Sequence, residues 1–292
     1  MQNEHTEVRP KDSKFLYFWG RLPVIVRAVA QGLVVGLAVF VWPVLTVLNL
    51  ETTLQLPWSV AVMAVFLWFY WRYLNGSGWP RSTSVARRTF LRGSFPKGKA
   101  LRLSMAAMVL GAVCSEAAWL TTLRLVVFPP ETFLLSFNVD VLPWWTLIPA
   151  LVMTSFVAGL VEEAAYRGYM QVPLERRYGP VAGIFVVTII FTFMHLYHDW
   201  ASMAIFPSYV VFGLFMGALS YAAQSIWPAV IAHTAIDIYQ LLYEWQIVGT
   251  YNLTQVKDSG IDTHFIIVAG LTLATGLAAI AVLKRLIRIR DE

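Results

Sequence analysis

The chain has 292 residues, of which 58% are hydrophobic and only 13% charged, with a formal net charge of +5 and a single cysteine. A soluble domain of that size carries about a quarter charged residues, so a soluble globular class is excluded. The lone Cys114 sits in an apolar block, which excludes a disulfide framework and leaves the redox compartment unread.

Residues 1–22 are polar and mixed in charge, and no small-residue cleavage site follows the first apolar block. They read as an uncleaved cytosolic tail ahead of a single helical membrane domain over 23–292. Eight apolar blocks follow, at 23–48, 58–74, 103–128, 142–172, 180–196, 203–221, 227–248 and 264–283. Most are near the roughly 17–25 residues that span hydrocarbon, and the fourth is long enough to project beyond it. The expected fold is therefore all-α: a polytopic integral membrane protein of about eight transmembrane helices with an intramembrane site. Pro43, Pro149, Pro173 and Pro207 are acceptable in or beside these blocks, because neighbouring helices satisfy the freed backbone groups. No repeat of about 20–50 residues breaks the chain into units.

Charge orients the blocks. Nineteen of the 22 Lys and Arg fall on one side if the blocks alternate in direction: five up to Arg27, eight between Arg72 and Arg102, Arg176 and Arg177, and four after Leu283. The opposite loops hold Lys257 with Glu51, Glu131, Asp140, Asp199, Asp258 and Asp262. The positive-inside rule then places both termini in the cytosol, in a plasma or inner membrane. The net positive charge reflects topology, and no nucleic-acid partner is needed to explain it. The basic stretch 75–102 reads as a topogenic loop on anionic lipid, with a substrate-docking role as the alternative.

Within the fourth block, Glu162, Glu163 and Arg167 stand in otherwise apolar sequence. A charged side chain near the bilayer centre costs at least ~2.5–3.5 kcal/mol, so such residues are rarely there without a task. Glu163 and Arg167 have the i,i+4 spacing of an ion pair, and Glu162 projects ~100° away. The turn at Tyr178-Gly179-Pro180 punctuates the chain. Folding an antiparallel hairpin there sets Glu162 level with His195, each ~22 Å along its helix and within reach of the cytosolic side. His233 and Asp237 share a face of the seventh block. Three helices can thus present acid–base groups at one level.

A carboxylate in a low-dielectric pocket gains proton affinity, which suits it to general-base work. Glu162 could take a proton from water and later deliver it to a leaving amine. His195 and His233 could orient that water, bind a metal or stabilise an oxyanion, and Arg167 could keep Glu163 ionised. No serine or cysteine has a nucleophile's setting, and neither G-x-S-x-G nor H-E-x-x-H occurs. Each group also has a purely structural reading: a packed ion pair for Glu163–Arg167, a protonated carboxyl for Glu162, a core histidine for His195, and an intrahelical hydrogen bond for His233–Asp237. Glu116 and Arg124 read as packing or snorkelling, and His198 and Asp199 as outer-loop residues outside any metal cluster.

In order, Glu162-Glu163-x-x-x-Arg167, Phe191-x-x-x-His195 and His233-x-x-x-Asp237 resemble the three motifs of the CPBP family. This is the CAAX-protease and bacteriocin-processing (ABI) group, which includes the Ras-converting CAAX endopeptidase of eukaryotes. The resemblance covers about 142–248 and implies an intramembrane endopeptidase with a glutamate-activated water. By position, Glu162 resembles the general base, His195 a catalytic partner, His233 with Asp237 the oxyanion-side pair, and Glu163 with Arg167 the supporting ion pair. The third motif ends in Asp where the eukaryotic enzyme has Asn, and the added acid bears on metal binding and pH profile.

Three functions remain open: a membrane endopeptidase of glutamic or metalloprotease type, a non-proteolytic immunity or scaffold protein, and a proton-linked transporter. No inverted-repeat halves support transport. The partners expected are the bilayer and a membrane-anchored protein or peptide substrate. Zinc on Glu162, His195 and His233 is the open cofactor alternative.

Overall fold

The computed structural model describes residues 14–128, 142–196, 205–251 and 253–292, with side chains from residue 18 onward. Among the described residues the regular elements are all helical, without strands. In order come α1 (Lys14–Arg21), α2 (Val24–Gly36), α3 (Val41–Thr52), α4 (Trp58–Leu74), α5 (Ser84–Leu91), α6 (Gly98–Leu125) and α7 (Trp144–Glu162). A π-helical segment over Glu163–Met170 leads into α8 (Gln171–Tyr178). Then follow α9 (Pro180–His195), α10 (Phe206–Ala223), α11 (Trp227–Glu244), α12 (Val256–Ser259) and α13 (Thr263–Asp291).

A helix lies in each of the eight apolar blocks. Five spans are long and apolar enough to cross a membrane: Val24–Thr52, Gly98–Leu125, Trp144–Tyr178, Phe206–Ala223 and Thr263–Asp291. Trp58–Leu74 and Pro180–His195 are shorter apolar helices. Helix α11 carries His233, Asp237, Gln240 and Glu244 along its length, so it reads as an interior helix with a polar stripe. The outward surface is apolar, with Val34, Phe69, Leu273 and Leu277 each more than 60% exposed. That is the surface of a protein solvated by lipid. Lipid gives helices no hydrophobic reason to associate, so close packing and polar contacts hold them together.

Small residues set the close approaches. At Gly159 on α7, an added Cβ would come within 2.4 Å of Thr234 Oγ1 and 3.0 Å of the Val230 carbonyl on α11. Gly32 on α2 lies as tightly against Met170 and the Ala165 carbonyl of the π segment. Proline shapes the backbone. Pro43 cannot donate to the Val39 carbonyl, and the 3₁₀ turn Leu37–Phe40 sits there, joining α2 to α3. Pro173 likewise leaves the Tyr169 carbonyl without its helical partner, at the end of the π segment. Gly179, at φ 85°, ends α8, and Pro180 begins α9 at a position where no amide donor is needed.

Two ends of the bundle can be told apart by their contacts. At one end, Arg92 pairs with Glu175, the Arg92 carbonyl accepts from Ile226 N, and the Gly93 carbonyl accepts from Trp227 Nε1. Arg290 donates to the Tyr221 carbonyl at the same end. The other end holds Arg124 with Asp262, and Glu116 with Tyr251 and Gln240. The stretch 75–102, expected as a loop on lipid, is built into the first end. It contains α5, and buried Arg87 donates to the carbonyls of Tyr73 and Gly78. Helix α5 also packs beneath the π segment, where Gly168 faces Phe90 and Leu91.

Candidate active site

The close crossing at Gly159 fixes α11 beside the end of α7, which brings His233 to Glu163. His233 Nδ1 lies 2.9 Å from Glu163 Oε1, and both side chains are buried. Arg167 Nη1 approaches the same oxygen at 3.3 Å. The guanidinium is further enclosed by aromatic faces, 4.5 Å from the Phe191 centroid and 5.9 Å from that of Phe212. Glu163 therefore sits between a cation and an imidazole, fully removed from solvent.

Glu162 turns to the other side. Its Oε2 is 3.7 Å from His195 Nε2, too long for a direct hydrogen bond but within the span that one water can bridge. The antiparallel hairpin around Gly179 thus brings these two side chains level. His195 Nδ1 is 2.8 Å from the Phe191 carbonyl, which can only accept. The proton therefore resides on Nδ1, and Nε2 is left to face Glu162. His195 also packs on Phe191 and Tyr209, with ring centroids 4.3 and 4.8 Å away. Asp237 Oδ2 is 3.6 Å from His233 Nε2, so the intrahelical pair does not form a hydrogen bond. The bond of His233 is made across helices, to Glu163.

Glu162, His195, His233 and Asp237 all line one cavity of about 290 Å³, together with Thr154, Tyr209, Phe212 and residues farther along α6 and α11. Glu163 and Arg167 do not line it; they lie behind the wall. The cavity extends from Glu162 past Gln240 to Glu244 and Trp245. It thus extends away from the basic Arg92–Glu175 end.

The residues set aside earlier have structural partners. Glu116 accepts from Tyr251 Oη at 2.6 Å and from Gln240 Nε2 at 3.1 Å. Arg124 holds Asp262 through both terminal nitrogens, at 3.0 and 2.7 Å. That guanidinium holds the Asp262 carboxyl well below the usual carboxylate range. His198 and Asp199 lie outside the described residues. The lining groups Gln240 and Glu244 escaped the sequence reading, although they stand seven and eleven residues beyond His233, on its helical face. Among the described residues no three His, Cys, Asp or Glu side chains are grouped so as to hold a metal ion. His195 Nδ1 is held by the Phe191 carbonyl and His233 Nδ1 by Glu163, which leaves the two Nε2 atoms beside Glu162 and Asp237.

Residues 143–239 match the family model described as type II CAAX prenyl endopeptidase Rce1-like. This is the family group that the three motifs resemble, and the matched segment holds all six candidate residues. No curated protein and no solved structure matches the chain. At family level the match supports a CAAX-type intramembrane endopeptidase.

Proposed function

From that family as premise, we propose that the chain hydrolyses a peptide bond in a membrane-anchored protein or peptide, using a water activated by Glu162. One observation carries the reading: Glu162 and His195 face each other at 3.7 Å in the wall of a cavity that also presents His233 and Asp237. A water between Glu162 and His195 gives one proton to the Glu162 carboxylate as its oxygen attacks the scissile carbonyl carbon. His195 Nε2, with Nδ1 tied to the Phe191 carbonyl, accepts the water's other proton in a hydrogen bond and aims the lone pair. His233, with Asp237 beside Nε2, faces the oxyanion side; that role requires a proton on Nε2. Collapse of the tetrahedral species breaks the C–N bond, and Glu162 returns its proton to the leaving amine. Glu163 and Arg167 are positioning residues: they hold the His233 ring and the end of α7.

No step here runs through a metal. Purified protein is expected to contain well under one equivalent of zinc and to keep its activity in chelator; stoichiometric zinc lost in His195→Ala would overturn the metal-free reading. The substrate test is comparative membrane proteomics of cells carrying wild type or Glu162→Ala. A membrane protein that keeps a terminal or juxtamembrane fragment only in the variant supports the proposal. Identical processing throughout, with both forms present at equal level, contradicts it.

A further inference from the structure

The cavity has a second polar end that the hydrolytic groups do not use. Along α11 it runs from Asp237 to Glu244, about 10 Å at 1.5 Å per residue. Opposite stand Ser115 and Trp119, one helical turn apart on α6 and each only 5% exposed. Ser115 Oγ has no hydrogen-bond partner, whereas Thr121 and Thr122 on the same helix bond back to the carbonyl four residues earlier. The Trp119 indole N–H is directed towards Glu244, yet neither Trp119 Nε1 nor Glu244 Oε1 completes a hydrogen bond. Buried polar atoms left this way cost roughly 1–3 kcal/mol each, and three of them border one space.

Acidic side chains outnumber the imidazoles around that space. Glu162, Asp237 and Glu244 line the cavity, and no Lys or Arg does. Glu116 adds a further carboxylate just behind Gln240. The nearest cation along α6, Arg124, is engaged by Asp262. A C-terminal carboxylate would be repelled here, while an ammonium or guanidinium would find acceptors in Glu244 Oε1 and Ser115 Oγ. Resting on the endopeptidase reading, the geometry points to a substrate subsite at Ser115, Trp119 and Glu244 that takes a basic side chain within about three residues of the scissile bond, since an extended chain covers ~3.3 Å per residue.

The test uses full-length protein in lipid nanodiscs and palmitoylated peptides, otherwise neutral, in which one Lys or the isosteric norleucine is walked along the sequence. Wild type is expected to cleave the Lys peptide with kcat/KM about ten- to a hundredfold above its norleucine partner at one position, the range for a charged hydrogen bond. Glu244→Gln should bring that ratio close to one, and Ser115→Ala should lower it less. A ratio within one preparation does not depend on how much protein folds, and Ser115→Ala serves if Glu244→Gln fails to accumulate. A Lys preference unchanged in both variants, or absent from wild type at every position, overturns the subsite. If wild type cleaves no peptide, binding of the same fluorescent peptides decides. Tighter binding of the Lys form to wild type than to Glu244→Gln upholds the subsite while the hydrolytic reading fails; equal binding overturns the subsite as well.

Discussion

Two buried arginines, Arg124 and Arg167, make an instructive pair. Both lie in apolar helices and are at most 2% exposed. Arg124 is a fastener: its two terminal nitrogens engage Asp262, Ser259 and His264 near the ends of α6 and α13. Asp262 keeps 38% of its side chain exposed and also caps α13 through Phe265 N. Arg167 is enclosed instead. It meets Glu163 at 3.3 Å, neither of its terminal nitrogens completes a hydrogen bond, and aromatic rings cover it. The pair adjoins His233 and, through it, the cavity. Terminal nitrogens bonded to several partners at the rim fit a structural fastener, and a sparsely bonded pair behind a cavity wall fits one that sets the position of reactive groups.

The largest expected effect comes from breaking the enclosed pair. Arg167→Ala leaves Glu163 buried without its cation, a loss of about 3–5 kcal/mol. Membrane yield and cleavage should both collapse, as read by detergent-solubilised thermal unfolding and peptide assay. Arg124→Ala strands only the half-exposed Asp262, which water can solvate, so it should cost less and leave the surviving protein able to cleave. Equal losses in the two variants would erase the distinction drawn between them.

Next in size, Gly159→Ala pushes α7 against Thr234 and the Val230 carbonyl, costing about 1–3 kcal/mol. Because that contact seats His233 beside Glu163, activity should fall further than the drop in unfolding temperature explains. His195→Ala should lower cleavage on the order of 10²–10³-fold with the yield kept, the range for losing one positioned hydrogen-bonding group.

The smallest effect separates the two clusters by pH. Asp262 has its carboxyl depressed below the ordinary 3.8, first by its hydrogen bonds from Arg124 and then by that from Phe265 N. A depressed carboxylate stabilises the fold fully above its unfolded value and loses that contribution as pH falls through the folded value. The difference in unfolding temperature between wild type and Asp262→Asn should therefore be constant above about pH 5 and shrink only in stronger acid. A difference that grows on acidification would contradict the pairing.

Much of the arrangement was legible because membranes make charge conspicuous. Glu162, Glu163 and Arg167 stand out in apolar sequence, and the Gly179–Pro180 turn brings Glu162 level with His195. Spacing could not show that His233 bonds to Glu163 in preference to Asp237, because that depends on how closely α7 and α11 cross at Gly159. The π segment was equally hidden, since i→i+5 bonding has no composition of its own. The role of 75–102 was obscured by its charge: Arg87 and Arg92 look like lipid-facing cations until their carbonyl and carboxylate partners are seen.

The central claim is that Glu162, and not its neighbour, activates water. Wild type, Glu162→Gln and Glu163→Gln, each purified into nanodiscs and matched for folded protein, can be given one lipid-anchored peptide, with products followed by mass spectrometry. The account predicts that Glu162→Gln unfolds at the wild-type temperature yet loses at least about 10²–10⁴-fold in rate, the worth of a general base. It predicts that Glu163→Gln loses stability and activity together. Cleavage by Glu162→Gln at the wild-type rate would contradict it.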